Sequence, residues 1–251
     1  MTVEGHQVTS APRIGVVIPA TNTVVEADFA RLSPDLASWH YSRMPMGGGT
    51  TPTDEAFAAL MESVRSSVDD AVKSVQECEP DHVLLGMSSP TFWGGLAASQ
   101  KFETAVKAEA GIDSITTGAL AVSSALDALD ASTVAFLSPY QPIADTQVSS
   151  FLQDSGYEVA GHIGMRCPTA LSIARVQERE LVPLLTNLAK KKPDVIVQIG
   201  TNLSMVELAD EAQRWLGIPV VAINAACAWY ALRSLGVEQQ FSGYGPLFRE
   251  H

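Results

Sequence analysis

The sequence is short of cysteine, of cations and of long apolar runs, and each shortage removes a class of protein. Its three cysteines, Cys78, Cys167 and Cys227, are spread over 251 residues. So sparse and odd a set makes no disulfide framework and fits a reducing compartment. No pair has metal-ligand spacing, and the five histidines form no H-x-x-H or HExxH pattern, so no metal site is expected. Lys and Arg number 16 against 28 Asp and Glu, a net charge of −12. That balance argues against nucleic acid and anionic membrane faces as partners. It leaves room for a small anion, which backbone N–H groups can hold on an acidic protein. No apolar run is long enough to span a membrane. The opening MTVEGHQVTSAP lacks the basic and apolar regions of a signal peptide. Residues 1–12 read as a mobile lead, and a cytoplasmic protein is expected. The glycine run at Met46–Gly49 is not followed by Lys-Ser/Thr, and no GxGxxG follows a strand. Neither a phosphate loop nor a dinucleotide site is therefore expected, and no cofactor is inferred. The run itself reads as a flexible flap.

What the chain does have is an ordinary globular mixture, with 46% apolar and 18% charged residues. Short β-branched runs alternate with longer amphipathic stretches. Strands are expected at Ile14–Ile18, Ser38–Tyr41, His82–Leu85, Ser114–Thr116, Thr133–Leu137, Glu158–Ile163, Val195–Ile199 and Val220–Ile223. Helices are expected at Val24–Leu32, Asp54–Val75, Phe92–Glu109, Ala119–Leu129, Ala144–Gln153, Glu178–Lys191, Met205–Trp215 and Ala225–Leu235. This alternation means βαβ units and a parallel sheet buried on both faces.

Eight strands and eight helices would also allow a closed (β/α)₈ barrel, but a repeat points elsewhere. PDHVLLGMSS aligns with PDVIVQIGTN, setting Met87, Ser88 and Ser89 opposite Gly200, Thr201 and Asn202. IGVVIPA at Ile14–Ala20 echoes VAFLSPY at Val134–Tyr140, with Pro19 opposite Pro139. The expected fold is therefore α/β, with two pseudosymmetric, doubly wound parallel-sheet halves and a cleft between them. The first half would comprise residues 13–118 plus 225–251, the second 119–224, with a late helix crossing back. Ligands bind outside the carboxyl ends of strands in open α/β sheets. The turns at Pro19, Ser88, Pro139 and Thr201 would then surround one site.

Several residues in those turns can carry chemistry. Ser88, Ser89 and Thr91 can form an anion nest at a helix start, or Ser88 and Ser89 can simply cap that helix. Asn22 or Thr21 can cap the next helix, and Asn22 could equally offer its amide to a carboxylate. Tyr140 stands at a strand mouth, where a ring packs and a hydroxyl seeks a partner. Cys167 follows a strand and could line the cleft, with Arg166 either activating it or clamping a carboxylate. Cys78 lies at a helix end away from the cleft, and Cys227 reads as a buried small hydrophobe.

IPATNTVVEADF, SRMP at Ser42–Pro45, GMSSPTFWGG, LSPY and NAACAWYALRSLG together resemble the aspartate/glutamate racemase superfamily. Within it they are similar to the maleate cis-trans isomerase and arylmalonate decarboxylase branch. The resemblance runs from about Arg13 to Gly236. It implies a cofactor-free enzyme holding a small carboxylate between two α/β halves, usually as a homo-oligomer. It also implies a cysteine after the second-strand motif of each half, or only the later one in the decarboxylases. Those positions are Met87 and Gly200 here. An Asn used by the isomerases falls at Ala170. Ser88, Ser89 and Tyr140 match the hydroxyl groups that bind a carboxylate or stabilise an enediolate, and Asn22 matches the first-loop Asn.

The site expected from these readings has Ser88, Tyr140 and Cys167 as catalytic residues. Asn22, Ser88, Ser89, Tyr140, Thr201 and Asn202 would bind substrate. Decarboxylase or isomerase chemistry beside a carboxylate leads. A related lyase or hydrolase on a carboxylate or amide, and a carboxylate-binding homologue without turnover, stand as alternatives.

Overall fold

The computed structural model describes residues 11–32, 35–46 and 53–251. The glycines Gly47–Gly49 and residues 1–10 of the lead lie outside the described residues. Two four-stranded parallel sheets form the frame, with orders β2-β1-β3-β4 and β6-β5-β7-β8. The first holds β1 (Arg13–Pro19), β2 (Ser38–Met44), β3 (His82–Leu85) and β4 (Ile115–Thr116). The second holds β5 (Thr133–Ser138), β6 (Glu158–Gly164), β7 (Val195–Gln198) and β8 (Val220–Ala222). The two orders are the same, one half after the other, as the repeat implies. Each sheet is open, so the barrel is excluded.

Composition explains the parallel pairing. Ile14, Val16, Val17 and Ile18 of β1 are wholly buried, and so are Val134, Ala135, Phe136 and Leu137 of β5. Side chains alternate between sheet faces, so a run buried at every position needs cover on both sides. Each fully buried Val, Leu or Ile contributes roughly 1.5–3 kcal/mol relative to exposure. Helices supply the cover: α1 (Val25–Phe29), α2 (Asp54–Gln76), α3 (Ser89–Phe92), α4 (Gly95–Ala110), α5 (Gly118–Ala128) and α6 (Pro142–Asp154) come first. The rest are α7 (Ala170–Ile173), α8 (Glu178–Ala189), α9 (Val206–Leu216), α10 (Ile223–Ser234) and α11 (Pro246–Glu250). Helix α10 leaves the second sheet and packs on α5, β3 and β4.

The structure corrects three expectations. The helix expected at Phe92–Glu109 is two helices, because Trp93 is extended and Gly94 and Gly95 have φ of 86° and 73°. Glycine takes this left-handed backbone without steric cost. Helix α1 stops at Phe29, short of the expected Leu32. The short helices α7 and α11 have too few residues to leave a periodic signal.

Candidate active site

Four strand ends converge on one hollow, and the turns after β1, β3, β5 and β7 all line it. Its empty volume is about 640 Å³, open mouth included. Thr21, Asn22, Met87, Ser88, Ser89, Tyr140, Cys167, Thr201 and Asn202 are in the wall, with Pro19, Pro90 and Pro139. Met46 and the α2 residues Phe57, Leu60, Met61 and Val64 form an apolar roof, joined by Ala170 and Ile173 of α7. No Asp, Glu, Lys, Arg or His is among these residues.

The polar corner is built from both halves. Ser88 Oγ and the Tyr140 hydroxyl share a short hydrogen bond, in which either can be the donor. Ser88 does not cap α3: its side chain makes no cap hydrogen bond. Thr91 does the bracing instead, donating from Oγ1 to the Ser88 carbonyl at 2.6 Å while accepting from Ala119 N–H at 3.1 Å. Ser89 Oγ is buried with no hydrogen-bond partner, and the residue is 4% exposed. A buried hydroxyl left unpaired costs about 1–3 kcal/mol, which a ligand oxygen would recover. The Ser89 hydroxyl and N–H lie beside the Tyr140 phenol, although the hydroxyl completes no hydrogen bond with it. Burial raises the Tyr140 hydroxyl above its usual value, and the Ser88 and Ser89 hydroxyls and Ser89 N–H partly offset this. The phenol therefore stays protonated at neutral pH and can donate.

Tyr140 is held by its own turn. The Ser138 hydroxyl donates to the Asp145 carboxylate in a short bond and accepts from Tyr140 N–H at 3.2 Å. Burial raises Asp145 to about 6, against the lowering effects of Ser138, His162 and Arg166. The loop after β6 supports the turn from outside, with Arg166 N–H on the Tyr140 carbonyl at 3.2 Å and Cys167 N–H on the Pro139 carbonyl at 2.9 Å.

The two asparagines line the hollow with their amides already engaged. Asn22 Oδ1 accepts from Val24 and Val25 N–H at 3.0 and 3.1 Å, ahead of α1. Its Nδ2 donates to Thr201 Oγ1 at 3.2 Å and to the Gly86 carbonyl at 3.5 Å. Asn202 Oδ1 accepts from Thr23 N–H at 3.0 Å, and its Nδ2 donates to the Thr21 and Ala170 carbonyls at 3.3 and 2.8 Å. Both residues stitch the halves together. Thr201, which accepts from Asn22, keeps its own proton to donate.

Cys167 is half-buried in the wall, and its thiol is raised by burial first and by Glu180 second. It is not an activated thiolate. Arg166 is exposed and lines a separate hollow with Thr53, Asp54, Gln141, Pro142 and Pro168, so it neither activates Cys167 nor reaches the polar corner. Cys227 is buried and pushed up to about 12. Met87 is 2% exposed and lines the hollow. Gly200 is not part of the wall, because Pro139 covers it: a Cβ there would lie 2.7 Å from both Cδ and Cγ of the proline.

The α2 roof is absent from the expected site. Phe57, Leu60, Met61 and Val64 recur at i, i+3, i+4 and i+7, a signal for a buried helix face that does not say what the face covers. The spacing locates the face, and only the tertiary structure turns it onto the cleft.

Comparison with known proteins agrees with this geometry. The arylmalonate decarboxylase family model matches residues 14–248. Arylmalonate decarboxylase of Bordetella bronchiseptica is 30% identical, over 97% of this chain and 99% of its own length. A maleate isomerase of Nocardia farcinica is 25% identical, over 95% and 96%. Among solved structures, a cysteine-to-serine variant of the Nocardia farcinica maleate cis-trans isomerase superposes with a TM-score of 0.85 at 25% identity, covering 96% of this chain and 99% of that one. It carries a covalently bound succinylcysteine intermediate. A liganded arylmalonate decarboxylase variant gives 0.82 at 28% identity, covering 96% and 100%. With the family model spanning nearly every described residue and the two-sheet frame in common, this chain belongs to the arylmalonate decarboxylase family.

Proposed function

We propose that this chain is a cofactor-independent enzyme of decarboxylase or isomerase type, acting at the carbon beside a carboxylate of a small mono- or dicarboxylic acid. The observation that carries the reading is the uncommitted hydroxyl cluster: Ser88 on Tyr140 rather than on its helix, with Ser89 Oγ buried and unpaired. A carboxylate seated there accepts from Ser89, from Thr201 and from whichever of Ser88 and Tyr140 does not donate to the other, while Asn22 and Asn202 hold Thr201 and its loop from behind. In a decarboxylation, the bond from the α-carbon to the leaving carboxylate breaks and CO₂ departs. The electron pair moves onto the retained carboxylate as an enediolate, where preorganised donors are strongest. A proton from Cys167 or Tyr140 then adds to the α-carbon, and water restores the donor.

Thiol-adduct isomerisation is disfavoured, and a decarboxylation would have to take its proton from Cys167 or Tyr140 in place of the decarboxylases' own cysteine. Met87 and Gly200 stand where the family resemblance puts cysteines, and the thiol that does line the hollow is held protonated. The apolar roof suits an acid with an apolar substituent. The same two replacements favour a second reading, a homologue that binds carboxylates without turning them over.

We further propose the two halves as residues 13–118 with 225–251 and 119–224, which the packing of α10 on β3 and β4 supports. A cytoplasmic homo-oligomer is part of the same reading. Free cysteines support the reducing compartment, and no helix of the described residues is long and apolar enough to cross a membrane. The test is incubation of the protein with phenylmalonate in D₂O. CO₂ release with deuterium at the product's α-carbon is expected. Binding of phenylmalonate, malonate and succinate with neither release nor exchange would replace the enzyme reading with the binding one.

A further inference from the structure

Behind the hollow, a buried polar chain runs from the pocket to the C-terminal segment. Asn224, in the first turn of α10, uses both amide hydrogens: Nδ2 donates to the Thr201 carbonyl at 3.0 Å and to Asp28 Oδ2 at 2.7 Å. Its Oδ1 is buried and has no partner. Asp28 and Asn224 are 2% and 3% exposed. The other Asp28 oxygen faces Arg31 at 3.2 Å, and its main-chain carbonyl accepts from the Tyr244 hydroxyl at 2.6 Å.

This arrangement is costly for a purely structural core. Burial raises Asp28 to about 6, with Asn224 and Arg31 partly offsetting it and Glu207 adding to it. The orphaned Asn224 oxygen adds a further penalty. Turning the amide over would give that oxygen no better partner, because both facing groups, a carboxylate and a carbonyl, only accept. The carboxylate thus reinforces the orientation in which the amide's NH₂ meets the Thr201 carbonyl. Thr201 is then fixed from two sides, through its carbonyl by Asn224 and through its hydroxyl by Asn22.

We propose that Asp28 and Asn224 are positioning residues of the pocket: the Asp28 carboxylate orients the Asn224 amide, which sets Thr201 so that its hydroxyl proton points at a bound carboxylate. This rests on the reading of the hollow as a carboxylate site. Asp28 would so control a donor it never touches, through an amide 196 positions away in sequence.

Asp28→Asn, Thr201→Val, and the exchange Asp28→Asn with Asn224→Asp test it in the full chain, with malonate and phenylmalonate as calorimetric probes and urea unfolding alongside. Asp28→Asn should weaken both probes about tenfold. Thr201→Val should do the same, and the two together should lose little more, since they remove one donor. The exchange restores an Asp–Asn pair but places a carboxylate against the Thr201 carbonyl. Neither stability nor affinity should recover, because two acceptors then face each other in a buried site. Recovery of both would reduce the pair to structural packing and overturn the proposal, as would unchanged affinity in folded Asp28→Asn. If that variant does not fold, the wild-type Asn224 side-chain amide signals in NMR decide: a shift on adding malonate supports the proposal, and no shift overturns it. Wild-type protein that binds neither probe would instead overturn the carboxylate reading on which the proposal stands.

Discussion

A Cβ on Gly200 would lie 2.7 Å from both Cδ and Cγ of Pro139 and 3.1 Å from Gln198 Nε2. Gly200 and Pro139 lie just beyond the C-terminal ends of β7 and β5, strands of one sheet that pair directly. The space a side chain would need at position 200 is therefore filled by a rigid ring. Gly200→Cys does not give this chain a second-half thiol without moving Pro139. Over-packing of this kind costs about 1–3 kcal/mol. Urea unfolding of Gly200→Ala should show a loss in that range. Adding Pro139→Ala should return at least half of it, as coupled neighbours do.

Ser88→Ala and Tyr140→Phe should each lower malonate affinity about tenfold, near 1.4 kcal/mol, since each breaks the hydroxyl pair that offers a donor in a partly desolvated corner. Gln153→Ala, an exposed change on α6, should leave it unaltered. If turnover is found, Tyr140→Phe should reduce kcat far more than KM, because the donor counts most against the enediolate. Calorimetry and steady-state rates make the comparison.

Cys167 should alkylate more slowly than a free thiol at pH 7 and faster as the pH rises, because burial and Glu180 hold it protonated. Cys227, pushed up to about 12 and buried, should react only on unfolding. Mass-resolved labelling with iodoacetamide reads both rates. Malonate should protect Cys167 and leave Cys78 unchanged.

Asp145 gives stability a pH signature. Its carboxyl is raised from 3.8 to about 6 in the fold. Between roughly pH 4 and 6 the folded state keeps a proton that the unfolded chain has released. The contribution is fully present below about pH 4 and is lost as pH rises through about 6, up to roughly 3 kcal/mol. His82 opposes it: bonded to Ser114 and Thr116 and lowered from 6.5 to about 4 by burial, it withdraws stability as pH falls. The difference between wild type and Asp145→Asn isolates the first effect. It should shrink by at least 1 kcal/mol between pH 4.5 and pH 7 in urea titrations.

The strands were legible because each is an unbroken apolar run, and a run buried on both faces is the same signal in one dimension as in three. The Pro-Asp repeat carried the pairing of the halves, since Met87 and Gly200 follow the last residues of β3 and β7, Leu85 and Gln198, at the same distance along the chain. Bonding state was not legible. Asn22 and Asn202 look like ligand-seeking amides until Thr201, Thr23 and Thr21 take up their capacity from across the cleft. Asp28 and Asn224 gave no signal, because a buried polar pair so distant along the chain has no local pattern. The break at Trp93–Gly94 was written in the glycines, whose left-handed backbone ended a helix that the periodicity alone continued.

The seams made by Asn22 and Asn202 have a thermodynamic corollary. Neither half holds a pocket alone, since the donors that would meet a carboxylate come from both and are aligned by bonds running between them. Any acid that fits is thus a guest of the assembled molecule only, and saturation should lift the melting of the whole polypeptide as one cooperative event, by an amount set by the logarithm of guest concentration.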